Sequence, residues 1–129
     1  MMLSVSERTF AKEVLEAATP VMVHFWAPWC GLCKIVEPIL KRFQQEKGGQ
    51  IKVVSFDADL SLKLAFTYKL NKLPTLILFE GGQVKDRIEG FQSREDLQRQ
   101  LQSLIELKPI DQKQEVQKQE VAVSAIRPR

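Results

Sequence analysis

The chain has 129 residues, 44% of them hydrophobic, and a formal net charge of +3. That length points to one domain able to bury a core of its own. Residues 1–107 hold 14 basic and 13 acidic side chains and residues 108–129 hold 5 and 3, so the surplus charge sits mostly at the C-terminal end; with no dense Lys/Arg stripe and no aromatic–basic interleaving, no nucleic-acid partner is expected.

At the N-terminus, Ser6 stands where a helix cap would. Phe10, Val14 and Leu15 supply a modest apolar face to about Glu16, and Thr19-Pro20 stops it. Glu7 lies inside Met1 to Phe10, which has no long apolar core, and no apolar run approaches the roughly 20 residues of a membrane span. A cytoplasmic location away from the membrane is therefore expected. Val21 to Trp26 is a near-continuous apolar run, which suits a central strand covered on both faces. Cys30 and Cys33 follow directly. Ile35, Val36, Ile39, Leu40 and Phe43 then recur at helical spacing to about Lys47, with Pro38 inside the pattern and Gly48-Gly49 ending it.

Ile51 to Phe56 is a second strand, and strand, helix, strand at this spacing fits a parallel βαβ unit. A short helix is predicted over 60–69, with Leu60, Leu64, Ala65 and Tyr68 facing inward. Thr75 to Phe79 and Val84 to Glu89 pair as an antiparallel edge hairpin around Glu80-Gly81-Gly82-Gln83. Ser93 and Asp96 resemble a capping box before a last helix that shows Leu97, Leu101, Leu104 and Ile105 on one face and ends at Pro109. Residues 1–107 form the expected domain. Residues 108–129 read as a charged, glutamine-rich flexible tail, in which Val116, Val121, Val123 and Ile126 are too sparse for a buried face.

The chain has only two cysteines, three positions apart. A bond between them closes a tiny loop and constrains little, so the pair reads as reactive rather than structural. Cys30 falls at the start of a helix, where unpaired N–H groups and the dipole favour an anion, which makes it the expected thiolate nucleophile. Cys33, about one turn in and more buried, would resolve the mixed disulfide. The zinc reading is weaker, because only Cys30, Cys33 and His24 supply thiol or imidazole ligands and a structural site usually takes four.

Trp26-Ala27-Pro28-Trp29-Cys30-Gly31-Leu32-Cys33-Lys34 closely resembles the active-site segment of thioredoxins, usually Trp-Ala-x-Trp-Cys-Gly-Pro-Cys-Lys. Pro38, Leu73-Pro74-Thr75, Phe79-x-Gly-Gly and Gly90 fall on further landmarks, so the resemblance covers about residues 4–107 and is nearest to divergent cyanobacterial thioredoxins. It implies an α/β thioredoxin fold, a central mixed sheet of four or five strands with helices on both faces. It implies a cis Pro74 beside the cysteines. It also implies a docking surface for extended peptides made of Trp29, Gly31, Leu32, Leu73, Pro74 and Gly90, with Trp26 packed behind.

Three positions depart from the family pattern. His24, the chain's only histidine, takes the place of a buried aspartate and is the candidate for moving a proton at Cys33. Leu32 replaces proline and restores an N–H near the Cys30 sulfur, which predicts a less reducing pair. Ser55 stands where the family often has lysine. The expected function is a dithiol–disulfide oxidoreductase that reduces protein disulfides, catalysed by Cys30, Cys33 and His24. It would need no bound cofactor or metal, take electrons from a flavin-dependent or ferredoxin-linked thioredoxin reductase, and act as a monomer. A disulfide oxidant or isomerase, or a redox-sensing binding module using the same groove, are the alternatives.

Overall fold

The computed structural model of the chain describes residues 2–114, with side chains to Leu104. It forms two compact units, Met1–Arg94 and Glu95–Arg129. The first unit holds a five-stranded mixed sheet in the order β1-β3-β2-β4-β5. These strands are β1 (Leu3–Val5), β2 (Val21–Trp26), β3 (Lys52–Asp57), β4 (Thr75–Glu80) and β5 (Gln83–Ile88). β2 is central, parallel to β3 and antiparallel to β4, and β1 is parallel to β3. The sheet has the fold class expected from the resemblance, in its five-stranded form. β1 was not anticipated, because three residues carry too little alternation to read as a strand.

Successive residues of a strand point to opposite faces, and β2 uses both. Val21, Val23 and Phe25 join Val5, Phe10, Val14, Val54, Phe56, Leu64, Ile77 and Phe79 in one buried cluster. Its centre is aromatic: Phe10 meets Phe56 at 5.8 Å and Phe79 at 5.7 Å, both edge-on, and Tyr68 meets Phe79 edge-on at 5.4 Å. Edge-to-face packing of this kind adds about 1 kcal/mol per pair beyond the area buried. Burial among these rings raises the Tyr68 pKa. Met22, His24 and Trp26 fall on the other face, toward α1 (Gly31–Lys47), whose buried residues are Cys33, Val36, Leu40 and Phe43. Pro38 lies inside α1 without ending it, and Gly48, at φ +58°, stops it.

The first helical segment differs from expectation. Ser6 does not cap it. The Ser6 N–H donates to Thr9 Oγ1 at 2.9 Å in a turn, and a single π-helical turn, Ala11–Leu15, follows Phe10. Lys52 fixes this turn to β3, donating to Glu13 Oε1 at 2.6 Å and to the Glu13 carbonyl at 3.0 Å. That hydrogen bond and charge hold the Glu13 carboxyl below the usual carboxylate range.

The expected short helix is split into a 3₁₀ turn, Ala58–Leu60, and α2, Leu62–Thr67. Ser61 caps α2 by accepting from the Leu64 N–H at 3.1 Å. Leu64 faces the core, but Leu60 is exposed, so its expected inward orientation is overturned. A 3₁₀ turn advances three residues per turn rather than 3.6, which breaks the phase carried back from Leu64. Gly81 and Gly82 close the β4–β5 hairpin with φ of +61° and +82°.

α3 spans Arg94–Gln114, all but its first residue in the second unit, with Ser93 immediately before it and with Leu97, Leu101 and Leu104 buried. α3 passes through Pro109 instead of ending there. Proline deletes one intrahelical hydrogen bond, and a helix can continue on the bonds around it. The Ile105 side chain and the valines and isoleucine of 115–129 lie outside the described residues. No helix among the described residues is long and apolar enough to cross a membrane.

Candidate active site

β2 ends at Trp26, and the Cys30 N–H then turns back to the Ala27 carbonyl at 3.0 Å. This turn leaves Cys30 in extended conformation, φ −91° and ψ 107°, as the N-cap of α1. Its Sγ accepts the Cys33 N–H at 3.2 Å. The sulfur therefore occupies the position of a capping oxygen, among first-turn N–H groups that have no partner within the helix. Cys30 and Cys33 are joined as a disulfide with Cα atoms 5.4 Å apart. The donor reaching Cys30 is the N–H of Cys33, one residue beyond the Leu32 N–H that sequence reasoning had singled out.

The expected contrast between an outer and an inner sulfur is small in the disulfide. Cys30 is 5% exposed and Cys33 3%. The bonded residues shield each other, and Ala27, Trp26 and Leu73 pack against the pair. Leu73 is half-buried, Pro74 is buried, and the peptide bond between them is cis. Gly31 and Leu32 are exposed beside the pair. Gly90 is exposed at φ +70°, and a Cβ there would lie 3.9 Å from Lys72 Nζ, next to Leu73 in sequence. Trp29 is 69% exposed. Its indole N–H donates to Asp59 Oδ2 at 3.0 Å and Oδ1 at 3.2 Å, and the Asp59 N–H in turn donates to Asp57 Oδ1. Trp29 is thus held at the surface by its polar edge. Nothing in the sequence could have paired it with an aspartate thirty positions away.

Behind the pair, His24, Trp26, Cys33, Lys34, Glu37 and Ser55 line a cavity of about 220 Å³. His24 and Ser55 are direct neighbours across β2 and β3, which explains why both departures from the family pattern meet in one place. His24 is 3% exposed. Burial lowers its pKa to about 4, so the neutral imidazole prevails at physiological pH, as the cost of burying its charge predicts. His24 Nε2 and Trp26 Nε1 are buried without a hydrogen-bond partner among the described residues. The cavity mixes apolar walls with the polar groups of His24, Ser55, Lys34 and Glu37, and it has room for water beside Cys33. Glu37 was missed as a cavity residue, although its spacing of four from Cys33 places both on one side of α1. Among the described residues, no three His, Cys, Asp or Glu side chains are grouped as metal ligands.

The arrangement can open and close a disulfide at a helix N-terminus, with a cavity next to the second sulfur. The sequence profile described as Thioredoxin matches residues 1–103. Thioredoxin 1 of Nostoc sp. is 43% identical over 86 residues, covering 67% of this chain and 80% of its own length. Thioredoxin 1 of Synechococcus elongatus is 41% identical over 87 residues, 67% of this chain and 81% of its own length. A protein of Mycobacterium leprae named bifunctional thioredoxin reductase/thioredoxin is 37% identical over 103 residues, 80% of this chain and 22% of its own length.

Proposed function

This chain belongs to the thioredoxin family and is a thiol–disulfide oxidoreductase working through Cys30 and Cys33, and on that premise we propose that it reduces protein disulfides with Cys30 as the attacking sulfur and Cys33 as the resolving one. Cys30 thiolate attacks one sulfur of the target disulfide, and the other target sulfur leaves as a thiolate and takes a proton. Cys33 thiolate then attacks Cys30 in the mixed disulfide and releases the second target thiol. The target gains two electrons, and the Cys30–Cys33 pair loses them and closes.

Disulfide-bearing proteins and a reductase are the partners of the family. A thioredoxin reductase, flavin-dependent or ferredoxin-linked, returns the electrons in this reading, and the M. leprae relative joins the two activities in its name. The working compartment assigned is the cytosol, and the working form a monomer. Trp29, Gly31, Leu32, Leu73, Pro74 and Gly90 are the surface on which the target segment lies.

His24 serves Cys33. In the disulfide form its neutral imidazole lines the cavity that Cys33 also lines, and its buried Nε2 has no hydrogen-bond partner among the described residues. A thiolate forming at Cys33 would stabilise the imidazolium in that low-dielectric space, so the proton moves within a charge-balanced pair, directly or through water.

The observation that carries the reading is the Cys30 sulfur acting as the cap of α1 and accepting the Cys33 N–H. The experiment is reduction of insulin with dithiothreitol as donor. Cys30→Ser should abolish catalysis, and Cys33→Ser should accumulate a mixed disulfide with its target. Turnover by Cys30→Ser at the wild-type rate would refute the assignment. For His24, resolution of the mixed disulfide should slow about a hundredfold or more in His24→Ala, the usual range for general acid–base groups, and its pH profile should move. An unchanged profile in both His24→Ala and His24→Asp would remove the residue from the mechanism.

A further inference from the structure

Three large apolar side chains stand almost wholly in solvent on one short stretch of the chain. Leu60 is 76% exposed, Leu62 84% and Phe66 86%. Leu62 and Phe66 are four residues apart in α2 and so lie on the same side of it. Leu64 is the buried residue of α2, so the helix has its core contact and a second apolar face that the described residues leave exposed. Grouped exposure of this kind marks an interaction site, whereas single exposed leucines mark nothing.

The face is rigid. Ser61 caps the start of α2, and Arg87 donates to the carbonyls of Tyr68 and Lys69 just beyond its end. It is also continuous with the redox centre. Leu60 follows Asp59, the residue that holds the Trp29 indole, and Trp29 directly precedes Cys30. A protein seated on the disulfide therefore lies beside this face as well.

We propose that Leu60, Leu62 and Phe66 form a second docking surface for the protein being reduced. It would take a segment rich in apolar side chains next to the target disulfide, with a carboxylate nearby for the exposed Lys63 and Lys69. The inference rests on the exchange reading above. A second copy of this chain is a poorer occupant. A two-fold pairing through this face would bring the same lysines of both copies into one interface, where like charges repel.

The test uses three substrates: a disulfide-bridged peptide flanked by Leu, Phe and Glu, the same peptide flanked by Ser, and hydroxyethyl disulfide. The double variant Leu62→Ser/Phe66→Ser alters only exposed positions. Its kcat/KM for the Leu/Phe/Glu peptide should fall about tenfold, equivalent to about 1.4 kcal/mol, through KM. The other two substrates should change less than twofold. An equal fall for all three, or none for any, overturns the proposal. So does sedimentation of the wild type as a dimer that the variant dissolves. Failure of the exchange reading itself would look different, because the wild type would then reduce none of the three.

Discussion

His24 brings the only imidazole of the chain into the space between β2 and α1, and its protonation is linked to folding. Burial holds its folded pKa at about 4, below the ordinary imidazole value of 6.5. Between those values the unfolded chain binds a proton that the folded chain refuses. Stability from this residue is therefore complete above pH 6.5 and lost as pH falls toward 4. We expect His24 to account for about 2–3 kcal/mol of the loss in unfolding free energy from about pH 7.5 to about pH 4.5. Urea unfolding of the oxidised wild type and His24→Leu at both pH values checks this, and equal acid losses in the two proteins would contradict it. Leu32 carries a second prediction. The Cys30 sulfur accepts from the Cys33 N–H, and the Leu32 N–H is a neighbouring first-turn donor that adds to the field favouring a thiolate at Cys30. Leu32→Pro removes that donor, so the midpoint potential should fall, by about 30 mV for ~1.4 kcal/mol. Equilibration against glutathione measures it, and a variant equally or more oxidising than wild type would be the wrong sign.

The elements show where local pattern suffices and where it does not. β2 and α1 were legible almost to the residue, because Val21–Trp26 is apolar on both faces and the residues after Cys33 keep a helical period to Lys47. The first helix was not, because its short π-helical turn depends on packing and on the Lys52–Glu13 contact. Leu60 was misassigned because the helical period was carried through a 3₁₀ turn. The hairpin was visible from Gly81-Gly82, but the structure adds a reason for the second glycine. Gly82 has φ +82°, and a Cβ there would sit 3.1 Å from the Leu15 carbonyl oxygen. Gly82→Ala should therefore destabilise the protein by about 1–2 kcal/mol, from left-handed strain and crowding of a backbone atom. A shift in the urea midpoint at unchanged slope would show it, and no shift would mean that the hairpin and the first turn can move apart at little cost.

At the scale of the whole molecule, Phe10 connects the first turn to the sheet through its contacts with Phe25, Phe56, Tyr68 and Phe79. Phe10→Ala should cost about 3–5 kcal/mol, as expected for emptying a buried aromatic site. Equilibrium unfolding measures that loss, and a cost below about 1 kcal/mol would mean that the cluster closes over the gap. The tail remains a proposal: a chain ending at Gln114 should reduce insulin at the full rate and unfold at the same midpoint, and a lower midpoint would make residues 115–129 part of the folded body.

Sequence alone determined the order of β2, α1, β3, β4, β5 and α3, the reactive cysteine pair at the head of α1 and the family, because apolar periodicity, glycine placement and close spacing are local properties of the chain. Tertiary structure alone decided that Asp59 holds Trp29, that Leu60, Leu62 and Phe66 stay in solvent, and that His24, Ser55 and Glu37 share one chamber with Cys33. The first and last of these join residues far apart in the chain, which strand pairing and the packing of α1 bring together, and the exposure of Leu60, Leu62 and Phe66 follows from which side of their segment the core takes up through Leu64.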